Sequence, residues 1–332
     1  MKLVTYELGK STKLGVVVGE RVMDVRRVVE LIAGRKLPRA LAAQSAFKKS
    51  AEQVKDAGKA PLDMIELLGR GEKWLKALGR VTSALAREFT GRPASKGKAE
   101  KQPPGLILPL SSVRLRHPIQ KPGKITCVGL NYADHALEQG IEPPKLPIFF
   151  LKSGNTVSGP GDPIVMPPNS SDIDYEAEFA VVIGKRGKQI PEEKAYDYVA
   201  GYMVMNDVTA RDMQHGDKQW FRGKSCDTFA PAGPWIVTKD EIPDPHQLSI
   251  KLELNGEIMQ DSSTSNLIFK VPFLVSYLSQ SLTWEVGDII STGTPPGVGV
   301  FRKPPIFLKA GDTVSAIVER LGTLTNPVVA AG

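Results

Sequence analysis

The spacing of apolar and polar positions changes several times along the chain, and each change predicts a different element. Residues 3–6 and 14–25 are β-rich runs separated by glycine-containing turns, which predicts a small meander. From Arg26 to about Thr90 the texture is helical. The clearest stretch is 72–89, where Trp74, Leu78, Val81 and Leu85 fall at spacings of four, three and four and form one apolar stripe. Residues 91–105 then combine Gly, Pro, Lys and Ser and read as a solvated linker. Beyond Pro109 the chain turns to short β-rich runs broken by Pro and Gly, at 124–129, 179–183, 235–238, 248–254, 288–291 and 313–317. Residues 271–279 are the main helical interruption. The expectation is one large, mainly β domain behind a smaller mixed one.

One stretch breaks the pattern of a core strand. Residues 172–178 read Asp-Ile-Asp-Tyr-Glu-Ala-Glu and run straight into the apolar Phe179-Ala180-Val181-Val182-Ile183. Side chains two apart on a strand share a face, so Glu176 and Glu178 can point together while Phe179, Val181 and Ile183 pack on the other side. Two such carboxylates repel unless a cation lies between them. A third acid, Asp207, ends the apolar run 203–206. Three oxygen ligands on rigid elements suit Mg²⁺, Mn²⁺ or Ca²⁺. A solvated edge strand with its charges in water would show the same spacing.

Composition narrows the class. The 332 residues are 41% hydrophobic and 24% charged, as in an ordinary globular protein. Two cysteines, Cys127 and Cys226, make no disulfide framework and have no C-x-x-C spacing, which points to a reducing compartment. With no signal-like or membrane-spanning apolar run, the expected location is cytoplasmic. The net charge of +7 divides unevenly. Residues 1–124 hold 26 Lys+Arg against 11 Asp+Glu, net +15, and 125–332 hold 17 against 25, net −8. The basic segment 92–101 has no interleaved aromatic residue and matches no nucleic-acid motif, so no nucleic-acid partner is expected.

Further candidates lie around the acids. His135 and Glu138 are three apart after the run ending at Val128, and on a helix they form one face. Such a pair can act as a base, with the carboxylate orienting the imidazole, or be a plain solvated pair. Arg211 and Gln214 follow Asp207 on what would be one helical turn, and Lys224 follows in Gly223-Lys224-Ser225. These could donate to a substrate carboxylate or carbonyl and balance the acids, or form a surface network. The loop Ser291-Thr292-Gly293-Thr294-Pro295-Pro296-Gly297-Val298-Gly299 could hold a carboxylate or be an ordinary turn, and it is not a phosphate loop. His215 and His246 have no comparable partner and are taken as structural.

In this order, Asn131-Tyr132 with His135 and Glu138, Asp174-x-Glu176-x-Glu178, Asn206-Asp207 with Arg211 and Gln214, Gly223-Lys224-Ser225 and Thr292-Gly293-Thr294-Pro295 resemble the fumarylacetoacetate hydrolase family. The resemblance covers roughly residues 124–300. It implies an α+β, mainly β fold: a mixed β-sandwich or roll as catalytic domain, with a smaller α/β N-terminal domain, in a homodimer. It implies Mg²⁺ or Mn²⁺, with Ca²⁺ as an alternative, on Glu176, Glu178 and Asp207. His135 and Glu138 would form the base dyad on a lid-like segment, with Lys224 as a further catalytic group. Arg211, Gln214, Thr294 and Tyr132 would contact substrate. Leu130 and Cys226 depart from residues common in the family, Arg and Phe, which bears on substrate recognition rather than on the acids or dyad.

The domain reading is therefore 1–104, a linker at 105–123, and a catalytic domain at 124–332. The expected reaction is metal-dependent hydrolysis of a carbon–carbon bond in a 1,3-dioxo acid of the acylpyruvate, fumarylpyruvate or fumarylacetoacetate type. A decarboxylase, hydratase or isomerase of small 2-oxo acids on the same scaffold is the alternative. A non-catalytic binding protein retaining a structural cation is a rival from another class, and no membrane partner is expected.

Overall fold

The computed structural model describes residues 1–34, 36–90 and 102–331, which form two compact units, Met1–Leu115 and Arg116–Gly332. Most of the segment read as a solvated linker, 91–101, lies outside the described residues. In the first unit the predicted meander is present. Strands Lys2–Leu8, Ser11–Val18 and Arg21–Asp24 pair antiparallel in sequence order. The stretch 105–123, expected as a linker, contains the strand Ile107–Pro109, which pairs with Arg21–Asp24. Helix Val25–Ala33 begins where the Asp24 side chain accepts from the Arg27 N–H, satisfying one of the donors a helix start leaves open. The stripe Trp74, Leu78, Val81 and Leu85 lies buried along helix Glu72–Thr90.

The second unit stacks strands around a large apolar core. One run of hydrogen-bonded strands follows the order Ala230–Thr238, Val199–Asn206, Ala177–Ile183, Ile289–Ser291, Ile125–Gly129 and Ile148–Lys152. All these neighbours are antiparallel except Ile289–Ser291 with Ile125–Gly129. A second sheet has the order Glu257–Ser263, Ser249–Leu254, Thr313–Val318, Gly322–Ala330 and Ile164–Met166. Its strands Ser249–Leu254 and Thr313–Val318 bury alternate residues, sending Ile250, Leu252, Val314, Ala316 and Val318 into the same core as Phe179, Val181 and Ile183. This is the expected mainly β architecture, with no closed barrel among the described residues. The helix Val271–Ser279 is also present, and His246 Nε2 accepts from its Val271 N–H at 3.2 Å.

Strand Ala177–Ile183 differs from expectation in one respect. Every residue in it is buried, so both of its faces are covered. The acids at its mouth are interior groups, and the solvated-edge alternative is excluded. No described helix is long and apolar enough to cross a membrane.

His117 gives this unit a measurable acid sensitivity. It is fully buried, with the Ile119 N–H donating to its Nδ1 at 3.1 Å, and burial lowers its pKa to about 4. The unfolded chain, with an ordinary histidine value near ~6.5, takes the proton first as pH falls. Stability supplied by neutral His117 is therefore complete above that value and is lost between it and about 4. His117→Gln should flatten this part of the pH dependence by about 1 kcal/mol per pH unit in urea unfolding. Parallel curves for parent and variant would refute the assignment.

Candidate metal centre and catalytic dyad

Antiparallel pairing of Ala177–Ile183 with Val199–Asn206 brings Asp207 into one cluster with Glu176 and Glu178, which precede it by 31 and 29 residues. Ala177 lies opposite Asn206, the Asp207 N–H donates to the Glu176 carbonyl at 2.9 Å, and the Glu176 N–H donates to Asn206 Oδ1 at 2.9 Å. Glu176, Glu178 and Asp207 thus present one carboxylate oxygen each within 4.8 Å of one another, all three residues buried.

The surrounding cations are not enough to match these acids. Lys224, ending the short helix Phe221–Lys224, reaches Glu176 Oε2 at 2.7 Å and Asp207 Oδ2 at 2.8 Å. Lys152, ending strand Ile148–Lys152, reaches Asp207 Oδ1 at 2.5 Å and the Val208 carbonyl at 3.0 Å. Arg211 donates to Glu176 Oε1 at 2.6 Å, Asp174 Oδ2 at 2.8 Å and Gln214 Oε1 at 2.9 Å. Asp174 also accepts from the N–H groups of Gly299 and Val300. Four carboxylates, those of Asp174, Glu176, Glu178 and Asp207, face three cations, an ionised balance of −1.

Glu178 is the acid without a cationic partner among the described residues. It accepts from the Ser291 hydroxyl and from the Gly293 N–H at 3.0 Å. Burial, then repulsion from Asp207 and Glu176, pushes its carboxyl well above the usual range. Glu176 goes the other way: burial disfavours its charge, but Lys224 and Arg211 hold it below that range. A clustered, oxygen-only donor set with one unmatched acid fits a hard divalent ion, whose charge would turn the local balance from −1 to +1.

The base dyad forms a second group. On helix Ala133–Glu138, His135 Nδ1 lies 2.9 Å from Glu138 Oε2. Glu138 Oε1 accepts from the Gly297 N–H at 2.9 Å. Burial works against the Glu138 charge, yet the contacts with His135 and Gly297 hold its carboxyl below the ordinary range. An ionised Glu138 accepts Nδ1–H, which leaves the lone pair on Nε2, where the Gln139 side-chain nitrogen lies at 2.9 Å. The helix is tied at both ends: Glu138 at its close is held by Gly297, and Asp134 at its start accepts from Ser262 at 2.5 Å and Asn266 at 3.0 Å. The Phe301 ring lies 5.8 Å from the His135 ring. Glycine is required in the supporting loop. Gly293 and Gly297 both have φ of +99°, and a Cβ on Gly297 would meet the Met259 carbonyl oxygen at 2.1 Å.

These features agree with sequence comparison. The family model described as fumarylacetoacetate (FAA) hydrolase C-terminal matches residues 124–329. The chain belongs to the fumarylacetoacetate hydrolase family. Oxaloacetate tautomerase FAHD2A, mitochondrial, from Bos taurus is 48% identical over 271 residues, spanning 81% of this chain and 80% of that protein. Fumarylacetoacetate hydrolase (EaFAH) from Exiguobacterium antarcticum matches with a TM-score of 0.75 at 31% identity, covering 100% of both chains. Maleylpyruvate hydrolase from Sphingobium sp. SYK-6, solved with manganese(II) and pyruvate, matches with a TM-score of 0.70 at 28% identity, again over 100% of both.

Within this family fold, some expected substrate contacts have other commitments. The Thr294 hydroxyl donates to the Ala177 carbonyl at 3.0 Å and accepts from Gln260 Nε2 at 2.9 Å, so it fixes the loop to the strand instead of offering a free donor. Arg211 spends donors on Asp174, Glu176 and Gln214, which makes Gln214 a support for Arg211 in this arrangement. Tyr132 is fully buried and its hydroxyl has no hydrogen-bond partner among the described residues; burial first, then Glu178 and Asp134, raise its pKa well above the ordinary tyrosine value. Lys152 and Gln260 escape the sequence reading, and Ser291 enters it only as the first residue of the 291–299 loop, without a role of its own. Lys152 carries a usable signal, a lone charge closing the apolar run Ile148-Phe149-Phe150-Leu151. Gln260 carries none.

Glu178→Gln keeps an oxygen acceptor for Ser291 and Gly293 and removes the unmatched charge. It should weaken Mn²⁺ binding at least ~100-fold by calorimetry, the upper end of what losing an outer-shell partner costs, with thermal unfolding little changed. Unaltered Mn²⁺ affinity would remove Glu178 from the ligand set.

Proposed function

We propose that the protein catalyses divalent-metal-dependent keto–enol tautomerisation of oxaloacetate. The observation that carries this reading is the 48% identity, over 81% of the chain, to a protein named oxaloacetate tautomerase, together with the His135–Glu138 contact of 2.9 Å, held by the same loop that holds the acidic cluster, Gly297 donating to Glu138 and Gly293 to Glu178. Tautomerisation needs a base at carbon and positive charge at oxygen, and the chain has candidates for both.

Glu176, Glu178 and Asp207 would hold the metal. Bound there, it would supply Lewis-acid charge for the carboxylate and neighbouring 2-oxo oxygen of the substrate. His135 Nε2, free to accept once the Gln139 amide moves aside, removes a proton from C3. The C–H electron pair becomes the C2–C3 double bond, and the carbonyl electron pair moves to the 2-oxo oxygen. Glu138 holds the Nδ1–H and stabilises the imidazolium that forms. Lys224 faces the developing oxyanion as a permanent charge. Burial works against its protonated form, but Asp207 and Glu176 raise its pKa above the ordinary lysine value, so it stabilises by charge and does not act as the acid. Return of the proton to the oxygen, by way of solvent, gives the enol, and the reverse sequence gives the ketone.

Hydrolysis of a carbon–carbon bond is the second reading, favoured by the likeness to maleylpyruvate hydrolase. It would use the same groups, with His135 activating water. The two reactions separate by mass: a tautomerase leaves the substrate mass unchanged, whereas a hydrolase releases two acids.

With Mn²⁺ the protein should accelerate decay of the ultraviolet absorbance of enol-oxaloacetate, EDTA should abolish this, and mass spectrometry should show intact oxaloacetate. His135→Ala should lower kcat by about 10²- to 10⁴-fold without changing Mn²⁺ affinity. Cleavage of acylpyruvates with no effect on oxaloacetate would replace the tautomerase reading by the hydrolase one. Full activity of the His135 variant would remove the dyad.

A further inference from the structure

Oxaloacetate has a second carboxylate on C3, the carbon at which the dyad acts. A cation beside His135 is therefore required if a diacid is to be told from a monoacid. The cations at the acidic cluster are already engaged: Lys152, Lys224 and Arg211 each contact carboxylates of the cluster.

Arg302 is different. It follows the turn Gly299–Phe301 and is half-buried. Its Nε donates to the Gly297 carbonyl at 3.2 Å and its Nη2 to the Met259 carbonyl, both neutral acceptors. The Tyr175 hydroxyl donates to the same Gly297 carbonyl at 3.4 Å and is a neighbour of the guanidinium. No carboxylate lies within 4.0 Å of Arg302 among the described residues. By contrast, Arg186 and Arg222 form ion pairs on the surface with Glu285 and Asp217.

Its position is defined from two sides. The Gly297 residue whose carbonyl receives Arg302 gives its N–H to Glu138, and Phe301, the preceding residue, packs against the His135 ring. Arg302 also lies near enough to Glu138 to help hold that carboxylate ionised. A partly buried guanidinium oriented by two carbonyls, with Glu138 acting on it only from beyond ion-pair distance and no closer carboxylate among the described residues, is prepared for an incoming carboxylate.

We propose that Arg302 receives the distal carboxylate of the substrate and so selects 2-oxo diacids over 2-oxo monoacids. The proposal rests on the tautomerase reading for where the dyad meets the substrate. Arg302 is a specificity-determining residue on this account, while His135 and the acidic cluster carry the chemistry.

The test compares (S)-malate with L-lactate, unreactive 2-hydroxy analogues that differ in the distal carboxylate, on the Mn²⁺-loaded protein by calorimetry. The parent should bind malate about 10- to 100-fold more tightly than lactate, the range expected of a charge-assisted contact. Arg302→Gln keeps an amide that can still donate to a loop carbonyl. It should bring the ratio close to one with lactate binding unchanged, and Arg302→Lys should restore part of it. In kinetics, Arg302→Gln should raise KM for oxaloacetate with kcat little affected. A purely structural role, acting through Gly297 on Glu138, would instead lower kcat and leave the malate-to-lactate ratio intact, and that result overturns the proposal. So does a parent protein that shows no malate preference. An Arg302-dependent malate preference without tautomerisation of oxaloacetate would leave recognition standing and remove the reaction assigned above.

Discussion

A buried surplus of negative charge constrains everything around it in the catalytic unit. Moving a single unpaired carboxylate into a low-dielectric interior costs several kcal/mol, and four carboxylates gather here with three cations. The chain answers with oriented donors. Ser291 and the Gly293 N–H face Glu178, the N–H groups of Gly299 and Val300 face Asp174, and Lys224 bridges Glu176 and Asp207. Each donor fixes a piece of backbone. The 292–300 loop therefore takes its course largely from the charges it serves, and glycine at 293 follows from the close approach this requires: a Cβ there would lie 2.9 Å from Asn131 Cβ and the Val128 carbonyl oxygen.

The two halves of the proposed catalytic apparatus are built from different parts of the fold. Glu178 lies in one of two paired strands of the first sheet, and Glu176 and Asp207 flank the adjoining ends of that pair. His135 and Glu138 sit on a helix whose ends are tied to Ser262 and Asn266, in and just after a strand of the second sheet, and to Gly297 in the loop after Ile289–Ser291. The distance between base and acids is consequently set by how the two sheets pack. That packing is apolar, through side chains such as Phe179, Val181, Ile250, Leu252 and Ala316, which links the placement of a proton acceptor to the density of a hydrophobic core.

Periodicity made much of this legible in the sequence. The alternation of Glu176 and Glu178, the stripe from Trp74 to Leu85 and the helical run Val271–Ser279 each encode a face through local spacing. Strands Ile164–Met166, Glu257–Ser263 and Gly322–Ala330 were not anticipated, being short or rich in polar and small residues without a continuous apolar signal. Lys152 is an intermediate case. The sequence marks it as a charge closing an apolar run, but its strand lies at the end of the first sheet's order, and only the folded arrangement shows that its ammonium meets Asp207. Arg211 and Thr294 were visible as donors, but residue type does not reveal whether a proton is already committed to Glu176 or to the Ala177 carbonyl.

Strand Ala177–Ile183, covered on both faces, has a consequence for how such a protein can diversify. A substitution in it disturbs two packed layers at once, so the acidic floor is inherited nearly as a block. Phe301 and Arg302 lie outside any regular strand, on chain that can lengthen, shorten or change composition without moving that floor. Descendants of one ancestor can thus part company over which small molecule they accept while keeping a common acidic floor, and the record of that divergence should be written in the loops.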